Sequence, residues 1–183
     1  MKKIVHNPYK IVQMFEEEVA EYTGAPYAIS VDSCTNALFL CCKYLNVTQV
    51  TIPKYTYLSV PMSIIHSGAE VVFEDRKWSG VYKLEPYPIF DAAKRFTSDM
   101  YIPGAMMFAA EWFKKARYEG RSEMNYQEDD IDMLGWNMYM TPQQASHGLA
   151  LMQNYPEHVK DLGENKGYRD LSKFKVFEGC KVL

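Results

Sequence analysis

Between residues 27 and 73 the chain alternates in hydrophobic pattern, and this alternation constrains its fold more than any other feature. Tyr27-Ala28-Ile29-Ser30-Val31 reads as a short buried strand, followed by a polar turn from Asp32 to Thr35. Asn36 to Leu45 is an apolar helix ended by Asn46. Gln49-Val50-Thr51-Ile52 is a second strand closed by Pro53. Leu58 to Ser67 has helical spacing at Val60, Ile64 and Ile65 and stops at Gly68, and Glu70-Val71-Val72-Phe73 is a third strand. Strand, helix, strand, helix, strand with short links implies an α/β fold, a parallel-rich sheet flanked by helices with right-handed crossovers.

The flanks extend this reading. Ahead of the alternation, Asn7 can cap a helix with Pro8 in its first turn and Ile11, Phe15, Val19 and Tyr22 at helical spacing until Gly24. The run Glu16-Glu17-Glu18 reads as a solvated face of that helix. Beyond the third strand a Tyr/Pro-rich stretch leads to a short strand, Pro88-Ile89-Phe90, and to Asp91. Ala105 to Tyr118 is a helix with Lys114, Lys115 and Arg117 near its end, where cations favour the dipole. Residues 127–132 form an acidic loop, and Thr141-Pro142-Gln143-Gln144 carries the start signals of a helix running to about Gln153. The expected organisation is one α/β domain over residues 1–153, then a polar surface tail or arm over residues 154–183.

Charge and composition narrow the function classes. The 183 residues carry 20 basic and 23 acidic side chains, a net charge of −3, so no chain-wide basic field exists to hold a nucleic-acid backbone. The longest apolar runs fall far short of the roughly 18 residues a membrane span needs. Cys34, Cys41, Cys42 and Cys180 form no Cys-x-x-Cys pair, and the N-terminus has no apolar signal core. These features suit free thiols in a reducing compartment, and the expected location is cytoplasmic. His6, His66, His147 and His158 have no metal-ligand spacing, and no metal site is expected. Dinucleotide, Walker and nucleophile-elbow motifs are absent.

In a parallel sheet, ligands bind beyond the carboxyl ends of the strands. Two positions there carry chemistry. Ser33-Cys34-Thr35 places two hydroxyls and unpaired backbone N–H groups at the start of a helix, an arrangement that suits a phosphate. Spacing alone also makes it an ordinary helix cap. Asp91 follows a buried strand, where a carboxylate either pairs with a protonated ring nitrogen of a cofactor or caps the next segment. Tyr55 and Tyr57 follow the second strand, where an aromatic can stack on a flat ring or pack in the core.

In order, these segments resemble the sugar-aminotransferase family DegT/DnrJ/EryC1/StrS, which uses pyridoxal phosphate on the aspartate-aminotransferase scaffold. The resemblance runs through Phe15 to Gly24, Ala28-Ile29-Ser30-Val31-Asp32-Ser33-Cys34-Thr35-Asn36-Ala37-Leu38 and Ile52-Pro53-Lys54-Tyr55-Thr56-Tyr57. It continues through His66 to Asp75, Phe90-Asp91-Ala92-Ala93 and Gly135 to Ala145. It implies that Ser33, Cys34 and Thr35 hold the cofactor phosphate, that Tyr57 stacks on the ring, and that Asp91 faces the ring nitrogen. Asn137 matches an asparagine that reaches the phosphate of the neighbouring subunit, which implies a homodimer with shared sites. The implied substrates are a nucleotide-linked keto-sugar and an amino-acid donor such as glutamate.

The chain also departs from that pattern. The family's Ser-Phe-His-x-x-Lys segment, whose lysine anchors the cofactor, has no counterpart, and the small C-terminal domain is missing. The arginine often found beside Asn137 is replaced by Met138 and Tyr139. Lys94, three residues after Asp91, is the nearest amine in sequence to the expected site, and Lys54 lies beside the aromatic turn. Transamination needs a lysine to hold the cofactor and move a proton. Two functions follow: a reduced aminotransferase-like enzyme, or a non-catalytic homodimeric binding or assembly module on the same fold.

Overall fold

The alternation from residue 34 onward is realised as parallel strands with helices against them. A computed structural model describes residues 7–93, 107–122, 127–153 and 167–183. In chain order the elements are α1 (Lys10–Thr23), α2 (Cys34–Tyr44), β1 (Gln49–Pro53), α3 (Ser59–His66) and β2 (Glu70–Glu74). There follow β3 (Tyr82–Lys83), β4 (Phe90–Asp91), α4 (Met107–Ala116), α5 (Pro142–Gln153), two single 3₁₀ turns (Leu171–Lys173 and Lys175–Phe177) and β5 (Lys181–Val182). Contacts divide the chain into two units: Met1–Asp32 with Thr97–His158, and Ser33–Phe96 with Val159–Leu183.

The second unit holds a three-stranded parallel sheet in the order β1-β2-β5. Val50 aligns with Val71 and Ile52 with Phe73 across β1 and β2, so apolar side chains share a face. That face meets Leu38 and Cys42 of α2 and Val60 and Ile64 of α3, all at most 3% exposed. Burying each large apolar side chain here contributes about 1.5–3 kcal/mol, the main source of the unit's stability. The β2-facing turn is set by Gly68, whose φ of 97° is a conformation that side chains with a Cβ resist.

Residues 167–183 depart from the expected surface tail. Leu171 and Phe177 enter the same core, at 3% and 2% exposure, and the Phe177 ring meets Phe73 edge-on at 5.6 Å. β5 then extends the sheet beside β2. Polar composition hid this because the apolar residues are interspersed with charges, on 3₁₀ turns rather than on a periodic helix. The boundary expected at residue 153 is accordingly replaced by a unit that joins residues 33–96 to 159–183. The strand leading to Asp91 also differs from expectation. β4 pairs antiparallel with β3, Tyr82 opposite Asp91, rather than joining the parallel sheet.

In the first unit α1 packs against α5. Their approach depends on Gly148, where a Cβ would lie 2.5 Å from the Phe15 ring. The start of α5 follows the sequence signals: Thr141 Oγ1 accepts from the Gln144 N–H at 3.3 Å, and Gln144 Oε1 accepts from the Thr141 N–H at 2.9 Å. Helix α1 begins later than expected. Asn7 Oδ1 accepts from the Tyr9 N–H at 3.0 Å, and Tyr9 occupies the cap position.

Two further expectations fail in this unit, for one reason. Residues 27–31 form no strand, and Glu16 is not solvated. Glu16 Oε1 accepts from the Ser30 N–H and Ser30 Oγ, both at 2.8 Å. Arg117 pairs with Glu16 and donates to the Ser30 carbonyl, and both side chains are nearly buried. The Asp32 N–H donates to the Met138 carbonyl at 2.9 Å. Ser30 and Asp32 thus satisfy backbone groups through an ion pair and a loop carbonyl, where the sequence pattern implied a sheet ladder.

Candidate functional site

The site builds from the start of α2. Ser33, in extended conformation, accepts from the Asn36 N–H at 3.2 Å, so the cap is real. The anion-binding reading does not compete with it, because a capping hydroxyl leaves the first backbone N–H groups of the helix directed outward. Thr35 Oγ1 lies 2.7 Å from Ser59 Oγ at the start of α3. The first turns of two helices therefore meet through a hydroxyl pair just beyond β1. Tyr57, on the connecting loop, is 63% exposed and presents its ring to solvent.

Cys34 joins this turn to Asp91. Its Sγ lies 3.8 Å from Asp91 Oδ1, although 57 residues separate them in sequence. Asp91 is only 6% exposed, and its carboxylate is well served. Oδ1 accepts from the Ala93 N–H at 3.0 Å, and Oδ2 accepts from the Tyr82 hydroxyl at 2.6 Å. The Tyr82 oxygen also lies 2.6 Å from Thr56 Oγ1. A phenol has one proton, and it goes to the carboxylate, so Thr56 donates to Tyr82 and Tyr82 to Asp91. Burial first, then the Asp91 charge, pushes the Tyr82 phenol far above its usual range. It stays a donor at any working pH. Cys34 is exposed as a residue, yet partial desolvation of its thiol, followed by the Asp91 charge and hydrogen bond, pushes it up to about 11, so at neutral pH it is protonated.

The amines behave differently from one another. Lys54 Nζ sits 2.9 Å from Asp75 Oδ2 and 3.6 Å from Asp170 Oδ2. Its hydrogen bond to Asp75, supported by the Asp170 charge, raises it further above the ordinary lysine range. An ammonium so held is no nucleophile. Lys94 lies outside the described residues. Asn137 belongs to the other unit, where its side chain donates to Glu119 Oε1 at 2.9 Å and its backbone bridges to Tyr118.

Of the residues singled out from sequence, the structure gathers Ser33, Cys34, Thr35 and Asp91. Sequence reasoning missed Thr56, Ser59 and Tyr82. Ser59 had a legible signal, a hydroxyl opening the helix after the second strand. Tyr82 had none, because its role depends on the antiparallel pairing with Asp91.

Comparison with known proteins gives a consistent pattern. The model of the DegT/DnrJ/EryC1/StrS aminotransferase family matches residues 2–98. The spore coat polysaccharide biosynthesis protein SpsC of Bacillus subtilis (strain 168) is 43% identical over 67 residues, which are 35% of this chain and 17% of SpsC. The PLP form of Spr1654, a candidate sugar aminotransferase of Streptococcus pneumoniae, shares the fold with a TM-score of 0.57 at 17% identity, covering 80% of this chain and 59% of Spr1654. A DegT DnrJ EryC1 StrS aminotransferase from Brucella abortus aligns with a TM-score of 0.55 at 11% identity, over 99% of this chain and 81% of its own. The chain thus spans about a sixth of SpsC and under two thirds of Spr1654. Among the described residues, no helix is long and apolar enough to cross a membrane.

Proposed function

Because this chain belongs to the DegT/DnrJ/EryC1/StrS aminotransferase family, we propose that the site between Ser33 and Asp91 is the pyridoxal-phosphate site of a reduced, aminotransferase-like protein. The observation that carries this is the 3.8 Å contact of Cys34 with Asp91, which puts a helix-start turn and a buried carboxylate in one place. The residues present fit such a group. The N–H groups opening α2, with the Thr35 and Ser59 hydroxyls, suit its phosphate. Tyr57 offers an exposed ring for stacking. Asp91 accepts three described contacts, and a carboxylate has about four acceptor sites, so one remains for a ring N–H. When bound, the cofactor supplies the electron sink that amino-group transfer requires.

The chain's own residues do the rest. Tyr82 and Thr56 orient Asp91, and burial keeps water away from the carboxylate. Lys94 is the proposed anchoring and proton-moving amine. Asn137 is proposed to reach the phosphate of a neighbouring copy in a homodimer with shared sites. The proposed substrates are a nucleotide-linked keto-sugar and an amino-acid donor such as glutamate, and the proposed location is the cytoplasm.

A second reading, a non-catalytic binding module, is favoured by the Lys54 geometry, since the described amine beside the aromatic turn is held by two carboxylates. One experiment separates the two. The protein is titrated with pyridoxal phosphate, reduced with borohydride, and mapped by intact and peptide mass. An adduct on Lys94, lost in Lys94→Ala, together with amino-group exchange, supports the enzyme. Saturable binding with no adduct, weakened by Thr35→Val, supports the module. No binding at all overturns both.

A further inference from the structure

Asn137 is exposed, and an exposed side-chain amide rotates and flips unless a partner fixes it. The partner here is Glu119, whose Oε1 accepts from Asn137 Nδ2 at 2.9 Å. We propose that Glu119 is a positioning residue, which selects the one orientation of the Asn137 amide that donates to the cofactor phosphate of a neighbouring copy. This role of Glu119 rests on the pyridoxal-phosphate reading above and extends it by one residue.

The backbone delivers the contact. Residues 116–119 and 136–138 run side by side. The Trp136 N–H donates to the Ala116 carbonyl at 2.7 Å, the Glu119 N–H to the Trp136 carbonyl at 2.9 Å, and the Met138 N–H to the Arg117 carbonyl at 2.9 Å. Tyr118 bridges antiparallel to Asn137, so Glu119 directly follows the residue opposite the amide. Glu119 itself has a φ of 61°, the left-handed region that residues other than glycine seldom occupy. The chain leaves α4 here, where glycine would turn without strain. A glutamate at this position gives up that ease, and what its side chain adds is the carboxylate that meets Asn137.

The chemistry of the pair sets the orientation. An ionised carboxylate only accepts, so it admits one of the two amide flips: Nδ2 toward Glu119, Oδ1 away. Nδ2 carries two hydrogens, and among the described residues the second has no acceptor. That hydrogen is the one left for an anion. Arg121 Nη1 stands 3.7 Å from Glu119 Oε2, so the carboxylate does not confront an arriving phosphate as a bare charge.

The test is fluorescence titration of the whole chain with pyridoxal phosphate, in wild type and in variants checked for folding by circular dichroism. Asn137→Ala should weaken binding by about tenfold, the loss of a hydrogen bond to a charged group. Glu119→Ala should weaken it by about threefold or more, because binding must then order a freed side chain. Glu119→Gln keeps an acceptor and should lose less. The double variant Glu119→Ala with Asn137→Ala should match Asn137→Ala alone, since Glu119 acts only through that amide. Without cofactor, the Asn137 side-chain amide signals in heteronuclear NMR should move in Glu119→Ala. Mixing Thr35→Val copies with Glu119→Ala copies should return wild-type affinity to a fraction of the sites, because each hybrid dimer pairs one intact turn with one intact amide. Wild-type affinity in Glu119→Ala, full additivity in the double variant, or unmoved Asn137 signals would overturn the proposal and leave the role of Asn137 standing. Unchanged affinity in Asn137→Ala, or no recovery in the mixture, would overturn both.

Discussion

Replacing Tyr82 with Phe removes one oxygen and leaves two buried partners unserved. That oxygen lies 2.6 Å from Asp91 Oδ2 and 2.6 Å from Thr56 Oγ1. The three residues are 6%, 6% and 2% exposed, so bulk water cannot step into the gap. A hydrogen bond to a charged group contributes about 1.5–3 kcal/mol and a neutral one about 0.5–1.5. Ring packing against Trp78, at 4.8 Å between centroids, survives the change and offsets none of this. Tyr82→Phe should therefore cost about 2–4 kcal/mol, a large share of the roughly 5–15 kcal/mol a domain possesses. Urea unfolding followed by circular dichroism reads it as a lower midpoint at unchanged slope. Adding Asp91→Asn tests the cause, because two members of one bond must couple by about 1 kcal/mol or more. A loss below about 0.5 kcal/mol, or strict additivity with Asp91→Asn, would refute the relay from Thr56 through Tyr82 to Asp91.

Three other measurements probe the same structure. The Cys34 thiol is raised from 9.0 to about 11, so the fold keeps it protonated after the unfolded chain has ionised. Its contribution to stability is complete below pH 9 and is lost as pH rises to about 11; pH-dependent unfolding and mass-mapped alkylation of Cys34 check this, and Asp91→Asn should lower the alkylation midpoint only partly, since burial is the larger cause. Phe177→Ala should destabilise by about 3–5 kcal/mol in thermal or urea melts, where a surface tail would show almost no change. Gly148→Ala places a Cβ 2.5 Å from the Phe15 ring, so it should cost about 1–3 kcal/mol despite alanine's better helix propensity; adding Phe15→Leu should restore part of the loss.

How much of this was legible in the sequence depended on the range of the interaction. The elements from α2 to β2 follow from local signals: a period of apolar residues, Pro53 closing β1, Gly68 closing the turn before β2. The Ser33 turn was legible for the same reason, since a cap is satisfied within three residues. Asp91 was found as a candidate, but the partner that holds it was not. Tyr82 faces it through an antiparallel pair, and no periodicity announces a two-residue strand. The core positions of Leu171 and Phe177 were hidden likewise, because they lie on short 3₁₀ turns and their burial is decided by β1 and β2, roughly a hundred positions earlier in the chain.

Glu16 shows a different kind of miss, one the sequence did contain. A run of three glutamates reads as a wet face when counted as charge. Residues on a helix are placed one by one, however, each turned about 100° from the last. Glu16 lies four after Val12 and three before Val19, on the same stripe as the buried Val12, while Glu17 and Glu18 point away and are exposed. A carboxylate on that stripe cannot stay ionised without a cation or several N–H donors. Arg117 is the cation, and the Ser30 N–H and hydroxyl are the donors. Once Ser30 is engaged in this way, its N–H and carbonyl are unavailable to a neighbouring strand. The buried ion pair and the missing strand at residues 27–31 are therefore one fact. A charged residue on an apolar stripe is a stronger signal than the alternation of its neighbours, because leaving it unpaired costs more than any ladder bond contributes.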